Sequence, residues 1–200
     1  SNGQKIDYDY SETISYGGLF GQLKYSKNNL SAFFQGAVSN QSHQRFDHYD
    51  YQSAFENSEK VDNIGYNVKA GGSYIIADQH SVYVNSGYYS RQPYHDNIYL
   101  NFTNQVNPLT ENEKVLGLEA GYNFKSKLFS ASVNAYRTTW EDRVVTNSGV
   151  VAANGVIGTT PVSAGDVIFT ENQGVKQVHS GLELDFVLKP ATNLDFSGFA

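Results

Sequence analysis

The fold class this sequence predicts is all-β, an antiparallel transmembrane β-barrel segment of about eight strands, and three observations predict it. Apolar residues recur at every second position through most of the chain. Short turns alternate with long polar connections between these runs. The runs themselves are about ten residues long, so each spans about 33 Å; tilted by roughly 40° it covers about 25 Å, the height of a barrel's apolar band. Successive strand side chains point to opposite sides, so a period of two gives one apolar and one polar face. A soluble sandwich produces the same alternation, and the rhythm of the connections separates the two. Outer-membrane barrels keep tight turns at one end and long loops at the other.

The elements follow in order. The first strand, about 17–26, sets Leu19, Leu23 and Tyr25 against Gln22 and Lys24. The second, about 30–46, sets Leu30, Ala32, Phe34, Gly36 and Val38 against Ser31, Gln35 and Ser39, with Phe33 and Ala37 breaking the pattern. The third, about 64–76, opposes Tyr66, Val68, Ala70, Tyr74 and Ile76 to Asn67, Lys69, Gly71 and Ser73. The fourth, about 81–90, opposes Val82, Val84 and Tyr88 to Asn85 and Gly87. The fifth and sixth form a hairpin within 113–137: Leu116, Leu118, Ala120, Tyr122 and Phe124, then Phe129, Ala131, Val133 and Ala135, share the apolar face. The seventh, about 175–189, has Val178, Leu182, Leu184, Phe186 and Leu188 against Gln177, His179, Glu183 and Asp185. An eighth starts in "LDFSGFA". Short turns are expected near 27–29, 77–80, 125–127 and 190–193, and long polar loops near 47–63, 91–112 and 143–174.

Composition narrows the function classes. A net charge of −6 and a pI near 5.3 argue against binding a phosphate backbone, so no nucleic-acid partner is expected. Cysteine is absent, which excludes disulfide frameworks and cysteine zinc sites. Tyr (15) and Phe (12) far outnumber Trp (1), and Gly (18) outnumbers Pro (4), a composition suited to strands. No run approaches the roughly 18 apolar residues of a membrane helix. A mean hydropathy of −0.45 suits a water-soluble protein, yet the polar half of each barrel strand hides the apolar half from any average. Tyr25, Tyr74, Phe124, Phe129 and Phe186 fall at the short-turn ends of the apolar face, and Phe46, Tyr66 and Tyr88 at the long-loop ends. Amphipathic rings in two belts are expected where a barrel meets headgroups, although Tyr and Phe are also simply good strand residues.

The stretch "SGYYSRQPYHDNIYLNFTNQVNPLTENEKVLGLEAGYNF" resembles the barrel of TonB-dependent outer-membrane receptors, particularly the Bacteroidetes type. The matching residues are Ser90, Arg91, Gln92 and Pro93, then Asn107, Pro108, Leu109, Glu113 and Lys114, then Gly117, Glu119, Gly121 and Tyr122. Pro108 and Leu109 are adjacent, where the family pattern places a residue between them. The resemblance implies a slice of a larger barrel, about eight of 22 strands. Residues 1–200 would belong to one barrel domain whose plug and C-terminal strands lie outside this stretch. It implies an outer-membrane receptor that binds a scarce nutrient at its extracellular loops and imports it with TonB-derived energy. The implied partners are a TonB complex reached through an N-terminal region, outer-membrane lipid, a nutrient ligand and a surface lipoprotein. The alternative is a non-transporting barrel, either closed at eight strands or serving as a scaffold for surface complexes.

Candidate residues follow from faces and loops. Arg91, Tyr94, His95 and Tyr99 stand at the predicted outer mouth, where loops on a rigid scaffold carry recognition. Asn85, Glu119 and Glu183 point to the polar face, with Asp185, Lys24, Lys69 and His179. These could meet a passing ligand, or simply line a solvated lumen or pair with a plug. "SHQRFDHYDY" holds His43, Asp47, His48 and Asp50, but His43 and His48 fall on opposite strand faces, so no convergent metal set is expected. No catalytic spacing of His, Ser or Asp is found, and neither enzyme activity nor a cofactor is expected.

Overall fold

In the computed structural model, which describes residues 8–100, 103–157 and 160–200, the chain is one antiparallel sheet. Its eight strands are β1 (Tyr10–Lys27), β2 (Leu30–Asp47), β3 (Val61–Ala77), β4 (His80–Arg91), β5 (Glu113–Lys125), β6 (Phe129–Val150), β9 (Val167–Ala191) and β10 (Leu194–Phe199). Each strand pairs with its neighbour in sequence, with β6 next to β9. A separate hairpin of β7 (Gly155–Ile157) and β8 (Thr160–Val162) lies between them in the chain, and a single turn of helix, α1 (His95–Ile98), follows β4. No helix among the described residues is long and apolar enough to cross a membrane, which says nothing of strands.

The register keeps the apolar residues on one face across every ladder. Leu30 faces Tyr74, Tyr74 faces Val82, Val82 faces Tyr122, Tyr122 faces Val133 and Val133 faces Leu184. A shift of one residue in any ladder would throw a whole strand's apolar set to the other side. This row starts at the first short turn yet ends inside β9, well before the turn after Ala191. The row from Leu19 through Val38 and Tyr66 to Ser90 leaves the apolar stretch altogether at Lys114 and Glu141. The apolar belt therefore runs obliquely to the ladder rows. Such a stagger is what strands tilted about a barrel axis require.

Almost nothing covers this sheet. The only buried large apolar side chains among the described residues are Ile98 and Tyr99, in the connection after β4. On the apolar face Leu23 is 74% exposed and Leu182 70%. Leaving such a side chain in water forgoes about 1.5–3 kcal/mol each, so the face is built for an apolar surrounding.

The connections match expectation at all four short turns, the last closing between Ala191 and Leu194, and at two of the three long loops. Both ends of the expected loop over 143–174 instead form a strand ribbon, in which β6 and β9 stay paired from Arg143–Val175 to Val150–Val167. Above the apolar belt both faces of a ribbon meet water, so the two-residue period disappears, while Val144, Val145, Thr146 and Val150 still favour extended backbone. Asp142 and Gly174 take positive φ (56° and 71°) where the register shifts, a bulge at the point where the ribbon leaves the sheet. Likewise β1 begins at Tyr10 rather than near residue 17, in a polar stretch that has no period to reveal it.

Candidate functional site

The polar face carries two groups of side chains, one midway along the strands and one at the long-loop end. In the middle, three large rings lie over glycines directly across the ladder: Phe33 opposite Gly71, Tyr83 opposite Gly121 and Tyr136 opposite Gly181. A Cβ on Gly181 would stand 2.7 Å from the Tyr136 hydroxyl oxygen, so the absence of a side chain there makes room for the ring. Of the three, Tyr83 places its hydroxyl beside a carboxylate. The Tyr83 hydroxyl is 3.1 Å from Asn134 Oδ1 and 3.3 Å from Glu119 Oε1, and gives its one proton to either. Asn85 Nδ2 donates to Glu119 Oε2 at 3.4 Å, and Asn134 Nδ2 donates to Glu183 Oε2 at 3.2 Å. Asn85, Glu119, Asn134 and Glu183 thus form one polar ladder across four strands, with Lys69 above the Tyr89 ring at 5.6 Å. A cleft of about 450 Å³ opens over it.

At the long-loop end Glu113, almost wholly buried, lies 3.2 Å from Arg91 Nη1 and 3.7 Å from Arg143 Nε. The second distance is too long for a hydrogen bond and is a charge contact. Arg143 also donates to Gln177 and stacks on Trp140, the one tryptophan, while Arg91 stacks on Tyr94 with 4.4 Å to the ring centre. Tyr94 is exposed.

The connection from β4 to β5 does not rise away from the sheet; it folds over the polar face. Gln92 Nε2 reaches Ser39 Oγ at 2.8 Å across Gly65, whose missing side chain leaves it a path. His95 Nδ1 meets His43 Nδ1 at 3.1 Å, and the Tyr99 hydroxyl lies 2.9 Å from the His43 carbonyl and 2.8 Å from that of Glu59. Asn104 Nδ2 donates to the Glu56 carbonyl at 2.7 Å, tying this connection to the one between β2 and β3. Beneath them Arg45 Nη1 donates to Asp47 Oδ2 at 2.9 Å, with the guanidinium over the Tyr10 ring.

Burial shapes the titration of this cluster. It pushes both His43 and His95 below the ordinary imidazole value. The neighbouring His95 adds to the effect on His43; at His95, Asp96 opposes it and Arg45 reinforces it. Burial raises Glu12, with Asp96 adding and Arg45 opposing. Burial also pushes Asp47 upward, but the N–H groups of Asp50 and Tyr49 and the Arg45 guanidinium outweigh it and hold the carboxyl low.

The structure therefore brings Asn85, Glu119 and Glu183 together, sets Arg91 and Tyr94 side by side, and places His95 and Tyr99 in the packed layer beneath the loops. His43 and Asp47 share a face but serve different neighbours, His95 and Arg45, and no group of three metal-ligating side chains converges among the described residues. Trp140 and Arg143 escape a reading by period because they lie beyond the apolar belt. Parity alone would have put Arg45 beside His43 and Asp47.

The model of the family described as "TonB dependent receptor-like, beta-barrel" matches residues 1–200. Comparison with curated proteins returns no match. Among solved structures, "Copper transporter OprC" superposes with a TM-score of 0.66 at 13% identity, over 94% of this chain and 28% of that one. The siderophore receptor PirA from Pseudomonas aeruginosa does so with a TM-score of 0.63 at 14% identity, over 94% of this chain and 42% of that one. At such identities the likeness concerns the fold, and the chain spans well under half of either structure. With its whole length matched by that one family's model, the chain belongs to the TonB dependent receptor-like β-barrel family.

Proposed function

We propose that this chain is the wall of an outer-membrane receptor that captures a scarce nutrient at its long-loop end and imports it with energy delivered through TonB. The observation that carries the reading is the two-faced sheet: one uncovered apolar belt for lipid, and behind it a polar face over which the β4–β5 connection folds. Family membership supports transport, and the neighbours' titles name a copper transporter and a siderophore receptor. Arg91 and Tyr94 are the candidates for ligand contact, His95 and Tyr99 hold the segment that carries them, and Asn85, Glu119 and Glu183 line the path below. The partners would be lipid, a plug inside the barrel, a TonB complex and a surface lipoprotein, the last on the strength of the Bacteroidetes-type motif alone. The sheet supports a barrel wider than eight strands, since β1 and β10 share no ladder among the described residues.

The test is accumulation of ferric chelates, copper(II) and oligosaccharides by cells that make or lack the full-length protein, with and without a protonophore. Import predicts that at least one probe accumulates only when the protein is present and the proton gradient intact. Accumulation of none of them in either state, with the protein correctly inserted, would favour the scaffold.

A further inference from the structure

The contact between His43 and His95 joins the barrel wall to the β4–β5 connection that folds over the polar face, and the carboxylate beside it selects the proton arrangement of the neutral pair. His95 Nε2 lies 3.4 Å from Glu12 Oε1, too poorly aligned for a hydrogen bond yet close enough for charge to decide which nitrogen holds the proton. A carboxylate only accepts, so His95 carries its proton on Nε2 and its Nδ1 is bare. His43 must then donate from Nδ1 across the 3.1 Å gap. That leaves His43 Nε2 bare, wholly buried and without a hydrogen-bond partner among the described residues.

An incoming proton costs hydrogen bonding wherever it goes. On His95 Nδ1 it would set two N–H groups against each other at 3.1 Å, unless His43 shifted its own proton to Nε2, where a fully buried N–H would have no acceptor among the described residues. On His43 Nε2 it would create an unpaired charge in a fully buried ring, which costs several kcal/mol unless the ring moves to water. The groups around the pair are Tyr10 and Glu12 from β1, Arg45 from β2 itself, Ser58 and Glu59 from the β2–β3 connection, and Asp96 and Tyr99 from the β4–β5 connection. Of these only Glu12 and Asp96 favour a cation, both act on His95, and Arg45 opposes them.

We propose that His43 and His95 form a proton-operated latch, closed when both rings are neutral, that holds the described parts of the β4–β5 connection (92–100 and 103–112) over the polar face and releases them on acidification. Release would uncover the cleft of about 410 Å³ that Gln92 and Arg91 border together with Tyr16, Tyr89 and Trp140. The sign follows from burial, which lowers both imidazoles in the closed state. Closure is complete above the ordinary imidazole value of about 6.5 and is lost as the pH falls below it. Glu12 works in the opposite direction, because burial raises it and a protonated carboxyl is favoured in the closed state. Its effect sets in nearer its own range, so the clean window lies between about pH 7.5 and 5.5.

The test uses the full-length protein in lipid, without other cysteines, carrying spin labels at T13C on the wall and L109C on the connection; neither residue belongs to the latch. A single short distance is expected at pH 7.5. A longer or broader population should grow on acidification, the closed-to-open ratio falling about tenfold per pH unit for one coupled proton and up to about 100-fold for two. The H43Q/H95Q pair can still exchange an amide hydrogen bond but cannot take a proton, and should keep the pH 7.5 distance throughout. An unchanged wild-type distribution down to pH 5.5, or the same acid response in H43Q/H95Q, would overturn the latch. The readout is a distance and not uptake, so the latch and the import reading fail separately.

Discussion

Along β2, residues Leu30 to Val38 and residues His43 to Asp47 belong to one strand and pair along it with β1, yet different forces hold them. The lower stretch shows Leu30, Phe34 and Val38 to the outside with nothing over them. Its stability comes from ladder hydrogen bonds and from an apolar surrounding that the chain does not itself supply. The upper stretch is buried, and what buries it is polar: His95, Ser58, Asn104 and Tyr99 lie on His43, Arg45 and Asp47. One strand thus crosses from a region governed by its solvent to a region governed by satisfied hydrogen bonds. The lower region tolerates size changes and punishes charge. The upper region tolerates charge and punishes a missing partner.

The largest effect should come from R45A. It strands the Asp47 carboxylate, 2% exposed, without its cation, and removing one partner of a buried pair costs about 3–5 kcal/mol. The loss should stay local: amide exchange should accelerate in residues 48–60 and 92–112 while the β3–β6 ladders keep their protection. Exchange that accelerates equally in both would erase the distinction between the two regions.

A120R attacks the lower region instead. Ala120 lies within the apolar belt between Val84 and Ala135, and an arginine near a bilayer midplane destabilises a barrel by about 2–4 kcal/mol. T13R places the same charge on the same face of β1 but above the belt, and should cost about 0–1 kcal/mol. Denaturant unfolding of the two variants in lipid gives the comparison directly.

How much of this was legible in the sequence follows the same division. Leu116 to Phe124 and Val178 to Leu188 declare their face because their two sides meet different solvents, and that contrast writes the period of two. Where both sides meet water the contrast vanishes, so the ribbon from Arg143 to Val150 reads as a loop and Tyr10 to Tyr16 reads as nothing. The polar ladder of Asn85, Glu119 and Glu183 was recoverable from parity. The His43–His95 contact was not, because the two are joined by the path of an irregular connection that no local pattern encodes.

Packing on the polar face should give a smaller response. G181V places a side chain against the Tyr136 ring, and because the ring tip can swing into open polar space the expected loss is about 1 kcal/mol, at the low end for overpacking. Y136A in the same chain should remove most of it, so a double-mutant cycle by denaturant unfolding would show coupling between the two sites. Additive effects would mean that the glycine and the ring do not depend on each other.

The smallest effect sharpens the upper region alone. Asp47 is held below the ordinary carboxyl value of about 3.8, so its contribution is present above that value and is lost as the pH falls through its depressed pKa. Amide exchange in residues 48–60 should accelerate in that acid range in the wild type. In D47N, already without the charge, it should not change there.

The central claim is that one strand meets two solvents, and β5 tests it most directly. Single cysteines at each position from Leu116 to Asn123, in the full-length protein in lipid, would carry spin labels whose relaxation by oxygen and by a water-soluble chromium complex is compared. The account predicts an alternation of period two, with 116, 118, 120 and 122 relaxed by oxygen and 117, 119, 121 and 123 by chromium. Labels equally open to chromium at both parities would place water on both faces and contradict it.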